Sequence, residues 1–409
     1  VTVPTYTTNT ERDHTHILEN SGARAAIVST AKLAQVLLPA IVRSSTCEFL
    51  IAMEPLPPSS TRILSFAELA GDLQADVAAA TALAADVRRE DLACLIYTSG
   101  TGGAPRGVRQ HHGSILCNVE GCLDILTTDF GWGEEIFLSF LPLSHAYEHS
   151  GGQFLPIALG GQIYYAEGLE KLAANIEEVG PTIMVVVPRL FELIRARLIK
   201  TVEKQGGIGK LLFDKAIEMA SRDTPRLSDI PYRIAIDLLL KPKVAKRFGG
   251  RSKALVSGGA PLNPEIGQFF SALGLTLLQG YGQTEAGPVI SCNRPSAGIR
   301  SDTVGPPMKG VEVRIAEDGE ILVRGELVMH GYWRNEAETE RVLKDGWLYT
   351  GDVGLLDDAG RLKITDRKKD LIVNDKGDNI APQKVEGMLT LQPEIAQAMV
   401  SGDRRPYIV

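Results

Sequence analysis

Residues 97–108 read Y-T-S-G-T-G-G-A-P-R-G-V. Hydroxyls at Thr98, Ser99 and Thr101 alternate with Gly100, Gly102 and Gly103, so backbone N–H and side-chain O–H groups can turn together onto one anion. The apolar run 92–96 predicts a buried strand before this stretch, and 114–127 predicts a helix after it. A donor-rich loop at the carboxyl end of a strand is where an open α/β sheet grips phosphate. The plain alternative is a Ser/Gly/Thr-rich surface loop. Neither G-x-x-x-x-G-K-[ST] nor G-x-G-x-x-G is present in the stretch, so it is not a P-loop or a dinucleotide fingerprint.

Outward from this loop, apolar strand candidates alternate with helical stretches from residue 23 to about 290, at 25–28, 92–96, 136–140, 162–165, 183–187, 254–256 and 275–278. Such alternation predicts an α/β chain with doubly wound parallel sheets. Residues 311–333 change character. V-E-V-R-I-A-E-D-G-E-I-L-V-R-G alternates in polarity about Asp318-Gly319, and a second hairpin is expected over 355–364, turning near 358–360. The expected body is therefore two doubly wound lobes plus a small β subdomain.

At 409 residues the chain exceeds what one core usually serves. Its net charge of −7 argues against nonspecific nucleic-acid binding. No apolar run reaches the roughly 18 residues of a membrane span, and no signal pattern opens the chain, so a soluble cytoplasmic protein is expected. The five cysteines (47, 94, 117, 122 and 292) form no C-x-x-C pair and are expected to be packing residues. Charge is uneven: residues 189–247 hold 14 Lys/Arg against 7 Asp/Glu, with Leu190, Phe191, Ile194, Leu198 and Ile199 at helical spacing. That stretch is either a solvated helix pair or a dock for an acidic membrane surface or an anionic cofactor.

Further chemistry sits in short motifs. Ser257-Gly258-Gly259-Ala260-Pro261 follows one strand candidate, and its paired glycines let a flat group approach the backbone. Gln279-Gly280-Tyr281-Gly282-Gln283-Thr284-Glu285 follows another, offering an aromatic ring and a carboxylate. Thr350-Gly351-Asp352 supplies a carboxylate able to accept from two hydroxyls of a ribose, and Asp366-Arg367-Lys368-Lys369-Asp370 follows it. His145, in L-P-L-S-H, is either a structural imidazole or one that touches a substrate carboxylate or reaction intermediate. His111 and His112 have no metal-site spacing and are expected to support the loop.

Together these motifs resemble the adenylate-forming superfamily: acyl-CoA synthetases, luciferases and peptide-synthetase adenylation domains. The usual loop is Y-T-S-G-T-T-G-x-P-K-G-V, so Gly103 stands where relatives carry threonine and Arg106 where they carry lysine. The resemblance implies that residues 98–103 hold ATP phosphates. It implies that Gly258, Gly259 and Ala260 meet adenine, that residues 279–284 stack the base, and that Thr98 and Glu285 share a Mg²⁺ ion. Asp352 and Arg367 would hold the ribose, with Thr98, Arg106, His145 and Glu285 as the catalytic set. Lys369 would be the hinge of a mobile α+β C-terminal lid, of which 367–409 is the beginning, after a large domain at 1–366 whose β subdomain covers about 300–366. Arg106→Lys is then expected to leave activity similar or higher.

The opening V-P-T-Y-T-T-N-T, the Y-G-Q-T-E variant and the basic helical insertion at 189–247 resemble the long-chain fatty acid branch. The implied reaction activates a fatty acid with ATP to acyl-AMP and pyrophosphate, then transfers the acyl group to coenzyme A. Two alternatives are an acyl-AMP ligase loading a carrier protein and an impaired nucleotide-binding homologue, the latter because of Gly103, Arg106 and the absence of the lid's far lysine. The sequence is expected to be a fragment, since 402–409 reads like a strand approach. Residues 374–379 also depart from the Gly-Gly-Lys-Asn run of relatives.

Overall fold

The computed structural model describes residues 1–72, 77–98, 104–222, 224, 226–369, 372–373, 379–380, 382–389, 395, 397–403, 405 and 407–409. Strands β1 (Ala25–Val28), β2 (Phe49–Ala52) and β3 (Arg62–Ser65) form a parallel sheet near the N-terminus. Only β1 is legible in the sequence, because the other two are four-residue runs flanked by polar and proline-rich chain.

Next come β4 (Leu92–Thr98) and β5 (Arg106–His111), an antiparallel pair in which Thr98 faces Arg106. This corrects the strand-to-helix expectation for the loop, since a second strand intervenes before the helix His112–Phe130. R-G-V-R-Q-H has no apolar run to announce it. It is nevertheless buried at Val108, Gln110 and His111, because residues 330–333 cover its other edge. There Arg109 N–H donates to Gly331 O (3.0 Å), His330 N–H to Arg109 O (3.1 Å) and Trp333 N–H to Gly107 O (2.7 Å).

The main sheet contains β6 (Ile136–Ser139), β7 (Gln162–Tyr165), β8 (Ile183–Val186), β9 (Ala254–Ser257), β10 (Leu277–Gly282) and β11 (Val289–Cys292), in the order β11-β10-β9-β8-β6-β7. All of its pairings are parallel except β10–β11. β6 and β8 are buried at every residue, as strands covered on both faces must be, and this explains their continuous apolar runs. Phe191 of the helix Pro188–Gln205 and Phe270 of the helix Pro264–Ala272 pack edge-to-face at 5.2 Å in the largest apolar cluster.

The third sheet is antiparallel and is built from β12 (Glu312–Ile315), β13 (Glu320–Arg324), β14 (Leu343–Lys344), β15 (Trp347–Leu356) and β16 (Leu362–Arg367). Both expected hairpins are present in it, at β12–β13 and β15–β16. All five thiols are unpaired, with Cys94, Cys117 and Cys292 buried; desolvation pushes Cys94 up to about 11 and Cys122 to about 12. Among the described residues no helix is long and apolar enough to cross a membrane.

Candidate active site

The carboxyl ends of β9 and β10 open onto one cavity. Gly258 and Gly259 follow β9, and a Cβ on Gly258 would lie 2.9 Å from the Tyr147 ring, whose hydroxyl donates to Val256 O at 2.9 Å. The motif 279–282 is not a turn after a strand, as its glycines suggest, but the end of β10 itself. Gly280 and Tyr281 pair with Cys292 and Ser291 of β11, and the register shifts between Tyr281 and Gly282. Gly282 comes so close to β11 that a Cβ would sit 1.9 Å from Pro288 O. Gly280, Tyr281, Gly282, Gln283 and Thr284 line the cavity together with His145, and Thr284–Ala286 form a 3₁₀ turn carrying Glu285.

From there the cavity continues between the helix His112–Phe130 and the sheet, walled by Ile125, Leu126, Ile183, Val185, Leu278 and Met308. Its polar lining comes from His145, Tyr147, Ser150, Tyr281, Gln283 and Thr284. Gln283 Nε2 is buried there without a hydrogen-bond partner among the described residues, a donor left for a ligand. Ala260 is exposed, and Gln279 lies apart, beside a second, polar cavity with Gln268 and Arg300.

Tyr281, Asp352 and Arg367 meet although they lie far apart in sequence. Register pairs Asp352 with Arg367 across β15 and β16. Arg367 Nε donates to Asp352 Oδ1 at 3.0 Å, and Tyr281 O–H donates to Asp352 Oδ2 at 2.7 Å. Burial, reinforced by the Asp352 charge, holds the Tyr281 phenol well above its ordinary pKa, so it stays a donor. Each carboxylate oxygen keeps a lone pair for a further hydroxyl.

Glu285 accepts from Tyr332 O–H at 2.8 Å through Oε1. Its backbone carbonyl accepts from Met329 N–H at 2.9 Å, and Gln110 Nε2 of β5 donates to Thr284 O. The 3₁₀ turn is thus tied to β5, the strand that closes the glycine-rich stretch 97–108. Residues 99–103, the centre of that stretch, lie outside the described residues. Its edges are anchored: Tyr97 O–H donates to Asn20 Oδ1 at 2.6 Å, and His16 Nε2–H donates to Pro105 O at 2.8 Å. Arg106 forms an ion pair with Glu338 and stacks over Tyr332. Neither partner carries a sequence signal, since both lie more than 220 residues downstream.

His145 caps a short helix, its Nδ1 accepting from Tyr147 N–H at 3.2 Å, and it lines the cavity. Desolvation lowers its pKa, favouring the neutral ring. His111 Nδ1 lies 3.0 Å from Arg89 O and 3.2 Å from Ser114 N, and Nε2 lies 3.2 Å from Val328 O, contacts that tie the end of β5 to residues 89 and 328. Glu148, which sequence reading passes over, is fully buried; desolvation raises its pKa to about 7, partly offset by the Ser139 hydroxyl at 2.5 Å. Lys368 is fastened to Asp318 (2.6 Å) and Glu320 (2.9 Å), immediately before Lys369. Residues 374–378 lie outside the described residues.

The donor set fits nucleotide and magnesium. Among the described residues no three His, Cys, Asp or Glu side chains cluster as an all-protein metal cage. One carboxylate, Glu285, whose Oε1 accepts from Tyr332 and whose Oε2 has no hydrogen bond among the described residues, suits an ion that takes most of its ligands from phosphate and water.

Residues 1–333 match the AMP-binding enzyme family. The whole chain aligns with a long-chain-fatty-acid–CoA ligase of Mycobacterium tuberculosis at 34% identity, covering 68% of that protein. The peroxisomal long chain acyl-CoA synthetase 6 of Arabidopsis thaliana is 34% identical over 77% of this chain and 46% of its own length. Among solved structures, an anthranilate–CoA ligase holding anthranoyl-AMP superposes with a TM-score of 0.72 at 21% identity, covering 97% of this chain and 69% of that one. The O-succinylbenzoate–CoA synthetase of Bacillus subtilis, with ATP and magnesium, superposes at 0.69 and 22% identity, covering 100% and 72%.

Proposed function

The chain belongs to the AMP-binding enzyme family, in its long-chain fatty acid–CoA ligase branch, and from that premise we propose that it activates long-chain fatty acids with ATP and Mg²⁺ and passes the acyl group to coenzyme A. The observation that carries the reading is one cavity shared by polar and apolar groups. Gly258, Gly259, Tyr281, Gln283 and Thr284 line it together with the apolar side chains of Ile125, Leu126, Ile183, Val185, Leu278 and Met308. A fatty acid lying there presents its carboxylate to a nucleotide at the polar groups and keeps its tail out of water.

A carboxylate is a poor acyl donor because its leaving group would be oxide. In the first step a carboxylate oxygen attacks the α-phosphorus of ATP, the bond to pyrophosphate breaks, and a mixed anhydride with AMP results. In the second step the thiolate of coenzyme A attacks the acyl carbon and AMP departs, the thiol proton going to solvent. Asp352 and Arg367 hold the ribose. Gly258, Gly259, Ala260 and residues 280–284 receive the base, and Thr98 with residues 99–103 grips the phosphates. Neutral His145 orients the carboxylate through Nε2. Mg²⁺, held by Glu285 and Thr98, would neutralise charge building on the departing pyrophosphate.

We further assign 1–366 to the large domain, with a β subdomain at about 300–366, and 367–409 to the opening of a lid that turns at Lys369. The fastening of Lys368 to Asp318 and Glu320 supports a fixed point there.

The basic insertion is read as a dock for an anionic membrane surface. Residues 227–247 run through successive helical segments with two apolar stripes. Ile236, Leu240 and Val244 are buried, whereas Leu227 (87% exposed), Ile230, Ile234 and Leu238 (69%) face out. A merely solvated helix would carry polar residues at those four positions.

The test is product identification with the protein expressed from its complete gene: palmitate, ATP, Mg²⁺ and coenzyme A should yield palmitoyl-CoA, AMP and pyrophosphate. Accumulation of acyl-AMP with coenzyme A present would favour transfer to a carrier protein instead.

A further inference from the structure

Arg106 sits at the foot of the phosphate loop, opposite Thr98, where a cation is expected to meet phosphate. Two of its guanidinium contacts point away from that loop, while Nε is buried without a hydrogen-bond partner among the described residues. Nη1 donates to Glu338 Oε2 at 2.5 Å, and the guanidinium carbon lies 4.7 Å from the centre of the Tyr332 ring. The Tyr332 hydroxyl in turn donates to Glu285 Oε1.

Each member of this chain is held from behind. Glu338 also accepts from Arg341 Nη2 at 2.7 Å, on the helix Glu336–Val342 that Asn335 caps. Tyr332 is buried, donates its backbone N–H to Thr339 Oγ1 at 2.9 Å, and bridges to Val108 of β5. With Oε1 of Glu285 taken by the phenol, the carboxylate can rotate little, and Oε2 is the oxygen presented to a metal.

We propose that Arg106 is a positioning residue that acts through Tyr332 on the metal-holding carboxylate of Glu285, and is not a ligand of the ATP phosphates. The proposal rests on the reading of Glu285 as a Mg²⁺ ligand. The planar guanidinium is what the arrangement uses: it pairs with Glu338 through an edge N–H while its face covers the tyrosine ring, keeping that ring in one rotamer. A lysine ammonium at the same place can reach Glu338 but offers no flat face. Arg106→Lys is therefore not the neutral exchange that the loop motif suggests. Partners that hold metal ligands in place commonly alter metal affinity by tenfold or more when removed.

The experiment follows Mn²⁺, a spectroscopic stand-in for Mg²⁺, by electron paramagnetic resonance with saturating β,γ-methylene ATP. It compares wild type with Arg106→Lys, Glu338→Gln and Tyr332→Phe, and measures nucleotide affinity separately in excess EDTA. The expected result is Mn²⁺ affinity reduced roughly tenfold in all three variants, nucleotide affinity without metal unchanged, and an Arg106→Lys/Tyr332→Phe double variant no worse than its poorer parent. Tyr332→Phe removes a single oxygen and keeps the test open if the charge variants misfold. Wild-type Mn²⁺ affinity in Tyr332→Phe and Glu338→Gln, together with metal-free nucleotide affinity lost in Arg106→Lys, would overturn the proposal and make Arg106 a phosphate ligand. Absence of nucleotide-dependent Mn²⁺ binding in the wild type would instead remove the metal reading of Glu285 on which the proposal stands.

Discussion

Asp352 is buried, yet its carboxylate joins two strands and a ring: Arg367 on β16 and Tyr281 on β10 both donate to it. Replacing it by asparagine keeps the shape but puts an N–H₂ group against one of those donors. Calorimetry with ATP should show affinity falling about tenfold, some 1.4 kcal/mol. Unchanged affinity would mean that the ribose is held elsewhere. Glu148 carries a different prediction. Its folded pKa of about 7 lies above its unfolded value, so the stability it contributes is present below pH 4.5 and is lost as pH rises through about 7. Glu148→Gln should remove that slope. Urea denaturation should show the variant gaining on wild type by on the order of 2–3 kcal/mol between pH 4.5 and 8. Parallel pH profiles would mean that the carboxyl is already ionised when folded.

Among the elements, the helical run 227–247 carries the sharpest expectation. Leu227→Glu/Ile234→Glu should abolish co-sedimentation with phosphatidylglycerol-containing vesicles while leaving pyrophosphate release on a soluble medium-chain acid unchanged. Binding that survives the double variant, or that is equal on neutral vesicles, would leave these helices merely solvated. The elements also show where sequence reading succeeds. β6, β8 and β9 are apolar runs because both faces are covered, and the β12–β13 hairpin declares itself through alternation about Asp318-Gly319. β5 was invisible because its burial comes from residues 330–333, more than two hundred positions away. The candidate site divides in the same way. Gly258, Tyr281, Glu285, Asp352 and Arg367 stand in short motifs whose spacing carries chemistry, whereas the partners of Arg106, Glu338 and Tyr332, emerge only once the chain is folded.

On the scale of the whole molecule, the main sheet and the helix His112–Phe130 line the cavity, and the antiparallel sheet sets the Asp352–Arg367 pair against the hydroxyl of Tyr281, a residue that lines it. This division of labour makes tail length the natural specificity variable, because each methylene buried against the apolar lining contributes about 0.8 kcal/mol. The most direct measurement is acid-dependent pyrophosphate release from ATP and Mg²⁺ by the protein expressed from its complete gene, with saturated acids of increasing length, with and without coenzyme A, and with Glu285→Ala as control. The account predicts kcat/KM rising up to about fourfold per methylene until the cavity is filled, acyl-CoA as the product, and loss of metal-dependent release in the variant with its fold intact. Wild-type release that peaks on short acids, or no release with any acid, would contradict it.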